Sequence, residues 1–296
     1  MLPVWVLLFS ASMWGLSSLP LKAFAAHGLS GPLLAGVAFG LAGLVSLPLL
    51  LREYRQWRHT LGSLALLALV GGWGNTAYVT ALVMGDVVRV MLLFYLLPAW
   101  SVLGGWLFLG EQVSRRRGGA VTLALTGAFL VVGGVAAFST PFSMADAMAV
   151  SAGMGFAGNN IIARHAQGIP TASKTVVLFL GCAITALPLA LWVDGSITAS
   201  LVLTSLTPTV QAWLVAYAVG WLGLITATWQ WSVTRMEAGR AGVISIAELV
   251  VALLAATLVV GERMTLLECV GGVMIAVAAI LEATDSAAAT PQAAIP

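Results

Sequence analysis

Glu248 is an ionisable residue deep inside an apolar stretch of this 296-residue chain. It is seven residues into the run that starts at residue 241, about 10 Å along a helix at roughly 1.5 Å per residue. A carboxyl group at such depth in hydrocarbon is costly and marks a functional site by default. Two interpretations stay open. Glu248 pairs with the amino group of a bound molecule or takes up a proton, or it is a protonated carboxyl that hydrogen-bonds to a neighbouring helix.

Two other apolar runs carry a hydrogen-bonding residue that precedes an aromatic residue by three positions. The pairs are Asn75 with Tyr78, and Thr226 with Trp229. Residues at this spacing share one face of a helix. The pattern suits a site that binds the head group of an amino acid and stacks on its ring.

Tyr95, Trp14 and Asn159 complete the candidate binding residues. Tyr95 lies three residues before Pro98, where a helix break would widen a cavity. Trp14 and Asn159 occupy nearly equivalent places in two further runs, each beside a glycine. The alternative for each residue is ordinary packing, in which small residues let helices approach and Asn bridges them. Because the set comes from matched runs, we favour a shared cavity.

Four charged residues form two pairs at i, i+3 spacing near the ends of apolar runs, Asp86 with Arg89 and Glu237 with Arg240. The simpler interpretation is an ion pair within one helix, with the acid near the helix N-terminus. The other interpretation makes these pairs part of gates on the two sides of a membrane.

The composition excludes several classes of protein. Only 8% of the residues are charged, 60% are hydrophobic and the mean hydropathy is +1.02. Soluble domains carry about 25% charged residues, so this chain is not a soluble enzyme, a nucleic-acid-binding protein or a disordered protein. It has no nucleotide-binding loop, zinc-protease motif or nucleophile elbow. We therefore expect no catalytic residues, no metal and no cofactor, and no nucleic acid as a partner.

Apolar segments about 20 residues long, enough to cross a bilayer as helices, account for most of the chain. Their continuous hydrophobicity favours helices over a barrel. The sequence predicts ten spans, at 3–26, 32–51, 61–83, 87–110, 118–138, 143–166, 172–193, 208–234, 241–261 and 266–283.

The orientation follows from the basic residues, which are enriched in cytoplasmic loops. With a cytoplasmic N-terminus, the cytoplasmic ends carry Arg52, Arg55, Arg58, Arg115, Arg116, Arg117, Arg164, Lys174, Arg235 and Arg240. The opposite ends carry only Lys22, Arg89 and Arg263. The sequence therefore predicts a multi-pass protein of the inner, or plasma, membrane with both termini cytoplasmic.

The second half of the chain repeats the first. At an offset of 151 residues, Gly110-Glu111 matches Gly261-Glu262, and Asp86 and Arg89 match Glu237 and Arg240. The predicted units are 1–138 and 142–284, followed by a disordered cytoplasmic tail at 285–296. Because five spans is an odd number, the second unit enters the membrane from the opposite side. Inverted repeats of this kind are typical of secondary transporters.

Ten spans in two five-helix units, with a Gly-Glu pair closing the fourth and ninth spans, resemble the drug/metabolite transporter superfamily and its EamA-type exporters. Pro98 matches the proline of the fourth span in that family, whereas Leu249 stands at the equivalent place in the second unit. Within the family the chain looks most like the aromatic amino-acid exporters.

The resemblance implies an all-α membrane protein that exports small metabolites, aromatic or hydrophobic amino acids above all. Transport would proceed by alternating access around a midplane cavity, with protons as a candidate coupling ion. The alternatives are a transporter of another solute, such as a drug cation, and a passive channel.

Overall fold

The computed structural model describes residues 1–85, 87–132, 135, 141–193, 202, 204–255, 257–258 and 265–284. Within these ranges the regular structure is entirely helical and includes no strand. Asp86 and the predicted tail 285–296 lie outside the described residues.

The described part of the first half contains eight α-helices. They are α1 (Leu2–Gly15), α2 (Ser18–Ala25), α3 (Gly31–Arg52), α4 (Tyr54–Trp57), α5 (Leu61–Met84), α6 (Val87–Phe94), α7 (Leu97–Leu109) and α8 (Arg115–Val131). The first predicted span is thus divided into α1 and α2, and the fourth into α6 and α7.

The described part of the second half contains seven α-helices and one π-helical segment. They are α9 (Met144–His165), α10 (Thr171–Val193), α11 (Pro208–Val215), the π segment (Ala216–Leu222), α12 (Gly223–Val233), α13 (Ala238–Ser245), α14 (Ala247–Ala255) and α15 (Leu266–Ala283). The eighth predicted span is therefore one helical rod with a π-helical middle.

Among the residues that the structure describes, seven helical stretches are long and apolar enough to cross a membrane. They correspond to the first, second, third, fourth, seventh, eighth and tenth predicted spans. The other three predicted spans coincide with α8, α9 and the broken pair α13–α14. The count of ten stays a prediction with which this fold is compatible.

Helices of the two halves pack against each other in a symmetric pattern. Helix α3 packs on α10 and α8 on α15, so that each joins its own counterpart, and α7 of the fourth predicted span packs on α13 of the ninth. Helices α5 and α9 form a further pair, as do α1 and α12, and these two pairs exchange under the same symmetry. This arrangement is the one expected of inverted repeats related by a pseudo-two-fold axis.

Glycines allow the closest of these contacts. A methyl group added to Gly127 on α8 would come within 2.7 Å of the Gly271 carbonyl oxygen on α15. Gly74 on α5 and Gly155 on α9 approach one another in the same way. Small residues at helix crossings let backbones come together where lipid supplies no hydrophobic driving force.

Candidate functional site

Two helices at the centre of the molecule are interrupted at matching places. The break between α6 and α7 falls at Tyr95 and Leu96, and the break between α13 and α14 falls at Ile246. The first precedes Pro98, as the sequence predicts. The second has Leu249 where the proline would be, so proline is not required for the break. Interrupted helices near the middle of a membrane expose backbone groups to a binding site.

A cavity lies between α1, α5, α9 and α12 and is here named the amide cavity. Its volume is about 20 Å³, room for about one water molecule. Four of the predicted site residues line it: Trp14, Asn75, Asn159 and Trp229. Thr226, the counterpart of Asn75, lines it too, together with Phe39, Gly71, Phe156 and Leu178. The walls therefore come from both halves of the chain.

A chain of buried hydrogen bonds runs behind this cavity. Trp229 Nε1 donates to Asn160 Oδ1 at 3.1 Å, and Asn159 Nδ2 donates to the same oxygen at 3.2 Å. Gln230 Nε2 donates to Asn159 Oδ1 at 2.7 Å. The indole nitrogen can only donate, so it fixes the orientation of each amide in turn. These bonds hold the aromatic and amide side chains of α9 and α12 in one arrangement.

A second cavity, here named the acidic cavity, contains Glu248. It has a volume of about 10 Å³ and lies at the two helix breaks, next to Tyr95, Ser245 and Ile246. Tyr95 lines this cavity beside Glu248, and Tyr78 lies near enough to interact with the same carboxyl electrostatically. The structure thus brings Glu248 together with two predicted tyrosines from the other half.

A row of aromatic rings separates the two cavities. Phe156 and Trp229 line both of them, with ring centroids 6.4 Å apart and planes at 82°. Phe94 continues the row at 5.2 Å from Phe156 and 4.4 Å from Tyr78. Tyr78 contacts the row from behind and does not itself line either cavity. The cavities are therefore two compartments of one central site.

Sequence reasoning did not select Phe39, Phe156 and Gln230. Phe39 and Phe179 occupy equivalent places in the repeats, and their tilted rings have centroids 5.9 Å apart, so the repeat itself contains that signal. Phe156 lies three residues before Asn159 and shares its helix face. Gln230 has no comparable signal, because its role depends on a contact with another helix.

A carboxylate that follows α7 joins the two halves beyond one end of the site. Glu111 Oε1 accepts a hydrogen bond from Ala238 N at 2.7 Å and Oε2 accepts one from Gly239 N at 3.2 Å, at the start of α13. Burial raises the pKa of the Glu111 carboxyl above its ordinary value, against the opposing effect of these two N–H groups. The cap joins the end of α7 in the first half to a helix of the second.

Glu237 does not form the ion pair with Arg240 that the i, i+3 spacing predicts. Its carboxylate instead pairs with Arg117 of α8, whose Nε also donates to Glu282 Oε1 at 2.7 Å. Arg240 Nη2 donates to the Ala283 carbonyl oxygen at 2.6 Å. The Arg117 guanidinium is fully enclosed between two acids, so the interhelical pairs replace the local one.

At the other end, Arg89 Nε pairs with Asp146 Oδ1 at 2.7 Å and links α6 to α9. The expected partner Asp86 lies outside the described residues, so the predicted Asp86–Arg89 pair stays a prediction. Arg89 is buried in spite of its place near a helix end.

Two basic residues assigned to cytoplasmic loops are buried. Lys174 is fully enclosed and donates to the Ala163 carbonyl oxygen at 2.8 Å and to Thr234 Oγ1 at 3.1 Å. Arg117 is enclosed in the ion pairs described above. Both lie at helix ends, where a charge count assumes contact with water or lipid head groups.

The described walls of the two cavities lack the usual ligands of a metal or an anion. Among the described residues, no group of three or more His, Cys, Asp and Glu side chains could hold a metal ion. The described residues that line the two cavities include one carboxylate, Glu248, and no Lys, Arg or His.

Apolar helices of bilayer length, whose uncharged polar side chains gather at a central site, define a multi-pass membrane protein. The model of the EamA-like transporter family matches residues 1–133 and 143–283, and the chain belongs to that family. It is accordingly a membrane transporter of the drug/metabolite type, from a family of transporters and not of enzymes.

A solved structure described as "Crystal structure of protein" is similar to this chain over 99% of both chains, with a TM-score of 0.78 and 18% sequence identity. At that identity the similarity shows a shared fold only. No curated protein has significant sequence similarity to the chain.

Proposed function

We propose that this transporter exports small metabolites with an aromatic or apolar body, with aromatic and other hydrophobic amino acids as the leading class. The observation that carries the proposal is the central site itself, in which rings and amides from both halves surround two neighbouring cavities. Aromatic walls suit stacking on a substrate ring. The predicted roles of Trp14, Asn75, Tyr78, Tyr95, Asn159, Trp229 and Glu248 in substrate binding belong to this proposal.

Glu248 is proposed to bind the ammonium group of the substrate or to exchange a coupling proton. An ammonium group beside a carboxylate and several aromatic faces gains from both the ion pair and cation–π attraction. The acidic cavity supplies this combination through Glu248, Tyr95, Phe156 and Trp229. A carboxyl group in the middle of a membrane is also suited to proton relay.

The proposed mechanism is alternating access. Together the cavities have room for about two water molecules, so binding of an amino acid requires the helices around them to separate. The Glu111 cap and the Arg117 ion pairs close one end, and the Arg89–Asp146 pair joins helices at the other. We propose that these contacts are the gates, broken in turn on the two sides. The topology proposed is that of an inner-membrane protein with both termini cytoplasmic.

The test is uptake of labelled tryptophan, phenylalanine and leucine into proteoliposomes of the purified protein, with and without an imposed pH gradient. We expect saturable uptake of the two aromatic substrates, competed by excess unlabelled substrate and stimulated by counter-substrate inside the vesicles. Protein-free liposomes are the control. Flux that neither saturates nor shows exchange would favour a channel. If intact vesicles take up none of the three substrates, the amino-acid proposal is refuted.

A second candidate class is an organic cation, and the charge of the site favours it. One carboxylate and no basic residue among the described lining residues would leave the carboxylate of an amino acid without a cationic partner. The same absence disfavours phosphorylated substrates, which recruit Arg or Lys. Competition of tryptophan uptake by an aromatic amine such as tryptamine separates the candidates, since a cation transporter prefers the amine.

A further inference from the structure

The side chain of Thr226 lines the amide cavity and has no hydrogen-bond partner. Its hydroxyl oxygen is buried, and the residue as a whole is only 4% exposed. A buried hydroxyl without a partner costs free energy, so most buried polar groups are paired. An orphaned group that faces a cavity points to a ligand that would complete it.

Several other threonine hydroxyls on the described helices find a partner within their own helix, whereas Thr226 has none. Thr80, Thr175 and Thr234 each donate to the carbonyl oxygen four residues earlier, at 2.7, 2.9 and 2.7 Å. This is the usual behaviour of a helical threonine. Ser101 is the other buried hydroxyl without a partner among the described residues, but it lines neither cavity, so the unpartnered hydroxyl in the wall of the site is that of Thr226.

Asn75, the counterpart of Thr226 in the first half, does find a hydrogen-bond partner within its own helix. Asn75 Nδ2 donates to the Gly71 carbonyl oxygen at 3.0 Å, four residues earlier in the continuous helix α5. The residue four positions before Thr226 is Leu222, the last residue of the π segment. π-Helical turns are rare and occur frequently at functional sites. Equivalent positions thus differ in backbone and in whether the polar group is satisfied.

Gln230 lies one turn after Thr226 on the same face of α12. Its side chain carries the second buried polar atom of this helix that has no hydrogen-bond partner. Its Nε2 is committed to Asn159 Oδ1, because the Trp229 indole N–H fixes the orientation of the amide chain. Gln230 Oε1 is consequently an acceptor, and it is buried without a donor. The two orphaned groups on α12 are therefore both able to accept a hydrogen bond.

We propose that Thr226 is a specificity-determining residue, whose hydroxyl accepts a hydrogen bond from the ring of the substrate. The groups that fit are the indole N–H and the phenol O–H, carried by rings that stack against Trp14, Phe156 and Trp229. The inference rests on the proposed transport of aromatic amino acids and narrows it. Tryptophan and tyrosine are preferred over phenylalanine, since a plain phenyl ring leaves the buried hydroxyl unpaired.

The experiment compares KM and kcat for tryptophan, tyrosine and phenylalanine in proteoliposomes. For the wild-type protein we expect KM for the two polar rings to be lower than that for phenylalanine by on the order of tenfold, the value of one buried hydrogen bond. Thr226→Val keeps the shape of the side chain and should remove this difference by raising KM for tryptophan and tyrosine only. Thr226→Ser, which restores a hydroxyl, should restore the preference.

Thr228→Val is the matched control, because the Thr228 hydroxyl on the same helix already donates to Leu224 O at 2.8 Å. It should leave the three KM values unchanged, and thermal unfolding should show that each variant is folded. An unaltered preference in Thr226→Val would overturn the inference, as would an equal loss for all three substrates; both results leave the proposed function standing. If the wild-type protein transports none of the three, the proposed function fails first and this inference with it.

Discussion

Glu111 Oε1 lies 2.7 Å from the backbone nitrogen of Ala238, so a carboxylate of the first half caps a helix of the second. Gly110 makes this possible, because its positive φ of 66° turns the chain directly after α7. The Gly-Glu pair on which the family resemblance rests thus has a physical role: it satisfies helix N–H groups that would otherwise be buried without partners.

Removing this carboxylate should destabilise the protein. Glu111→Ala leaves the N–H groups of Ala238 and Gly239 without acceptors, and loss of a helix N-cap costs about 1–2 kcal/mol. We expect a lower midpoint of thermal unfolding in detergent. Gln112→Ala, at the exposed neighbouring position, is the control and should change little. Equal midpoints for Glu111→Ala and the control would show that the cap contributes nothing.

The same carboxyl should make stability depend on pH. Burial raises the pKa of Glu111 above its ordinary value of 4.5. Between that value and the raised one the folded state binds more protons than the unfolded state, so stability falls as pH rises through this window. We expect Glu111→Gln to flatten the decline. Urea unfolding of the wild-type protein and the variant, from about pH 5 to pH 8, measures the free energy of unfolding at each pH. Parallel plots of this free energy against pH would assign the decline to another group.

Arg117 should be much more important for stability than its exposed neighbour Arg115. Arg117→Met leaves Glu282, which is fully enclosed, without its cation. Breaking a buried pair by removing one partner costs about 3–5 kcal/mol. Arg115→Met should cost less than about 0.5 kcal/mol.

The double variant Arg117→Met/Glu282→Met tests the cause of that loss. It should recover part of the stability, because no unpaired charge is then buried. Thermal unfolding of the two single variants and the double variant completes the cycle. No recovery in the double variant would mean that Arg117 acts through packing alone.

Local features of the sequence predicted most of the fold and part of the site. Apolar runs predict the helices, and Pro98 predicts the interruption at Tyr95, because both effects act within a few residues. The repeat adds information at longer range, because Trp14 and Asn159, which occupy nearly equivalent places in the two halves, both line one cavity. The matching break at Ile246 could not be predicted in this way, because no proline follows it at the equivalent position.

Partners that are distant in sequence could not be predicted. The i, i+3 rule pairs Glu237 with Arg240, yet Arg117 is the actual partner, 120 residues away. The spacing rule considers residues of one helix only, whereas the fold places the guanidinium of Arg117, from another helix, beside Glu237. Lys174 was likewise counted as a loop residue and is buried, because sequence position alone does not show which helix ends lie under others.

Trp229 and Tyr78, equivalent residues of the two halves, should differ in their effect on binding. Trp229 lines both cavities and anchors the amide chain, so Trp229→Ala should weaken binding of an aromatic substrate by roughly tenfold or more. Tyr78 contacts the site through Phe94, so Tyr78→Ala should have a smaller effect. Binding of tryptophan by calorimetry, beside the yield of folded protein, measures both. Losses of binding that only follow the loss of yield would assign these rings to packing.

A Glu248 variant distinguishes transport driven by protons from transport driven by the substrate gradient alone. If its carboxyl carries the coupling proton, Glu248→Gln removes the titrating group while it keeps the size of the side chain and a hydrogen-bond acceptor. Uptake of tryptophan by the variant should then lose its response to an imposed pH gradient, whereas exchange of labelled for unlabelled tryptophan across the membrane should continue.

Tyr95→Phe, which deletes the hydroxyl next to the carboxyl but leaves the acid in place, should keep the response. Glu268→Gln, a change at a half-buried acid of the capping box that starts α15, should keep the wild-type response to pH. A pH response that persists in Glu248→Gln would exclude the coupling role, and loss of exchange together with the response would instead assign Glu248 to binding of the substrate ammonium group.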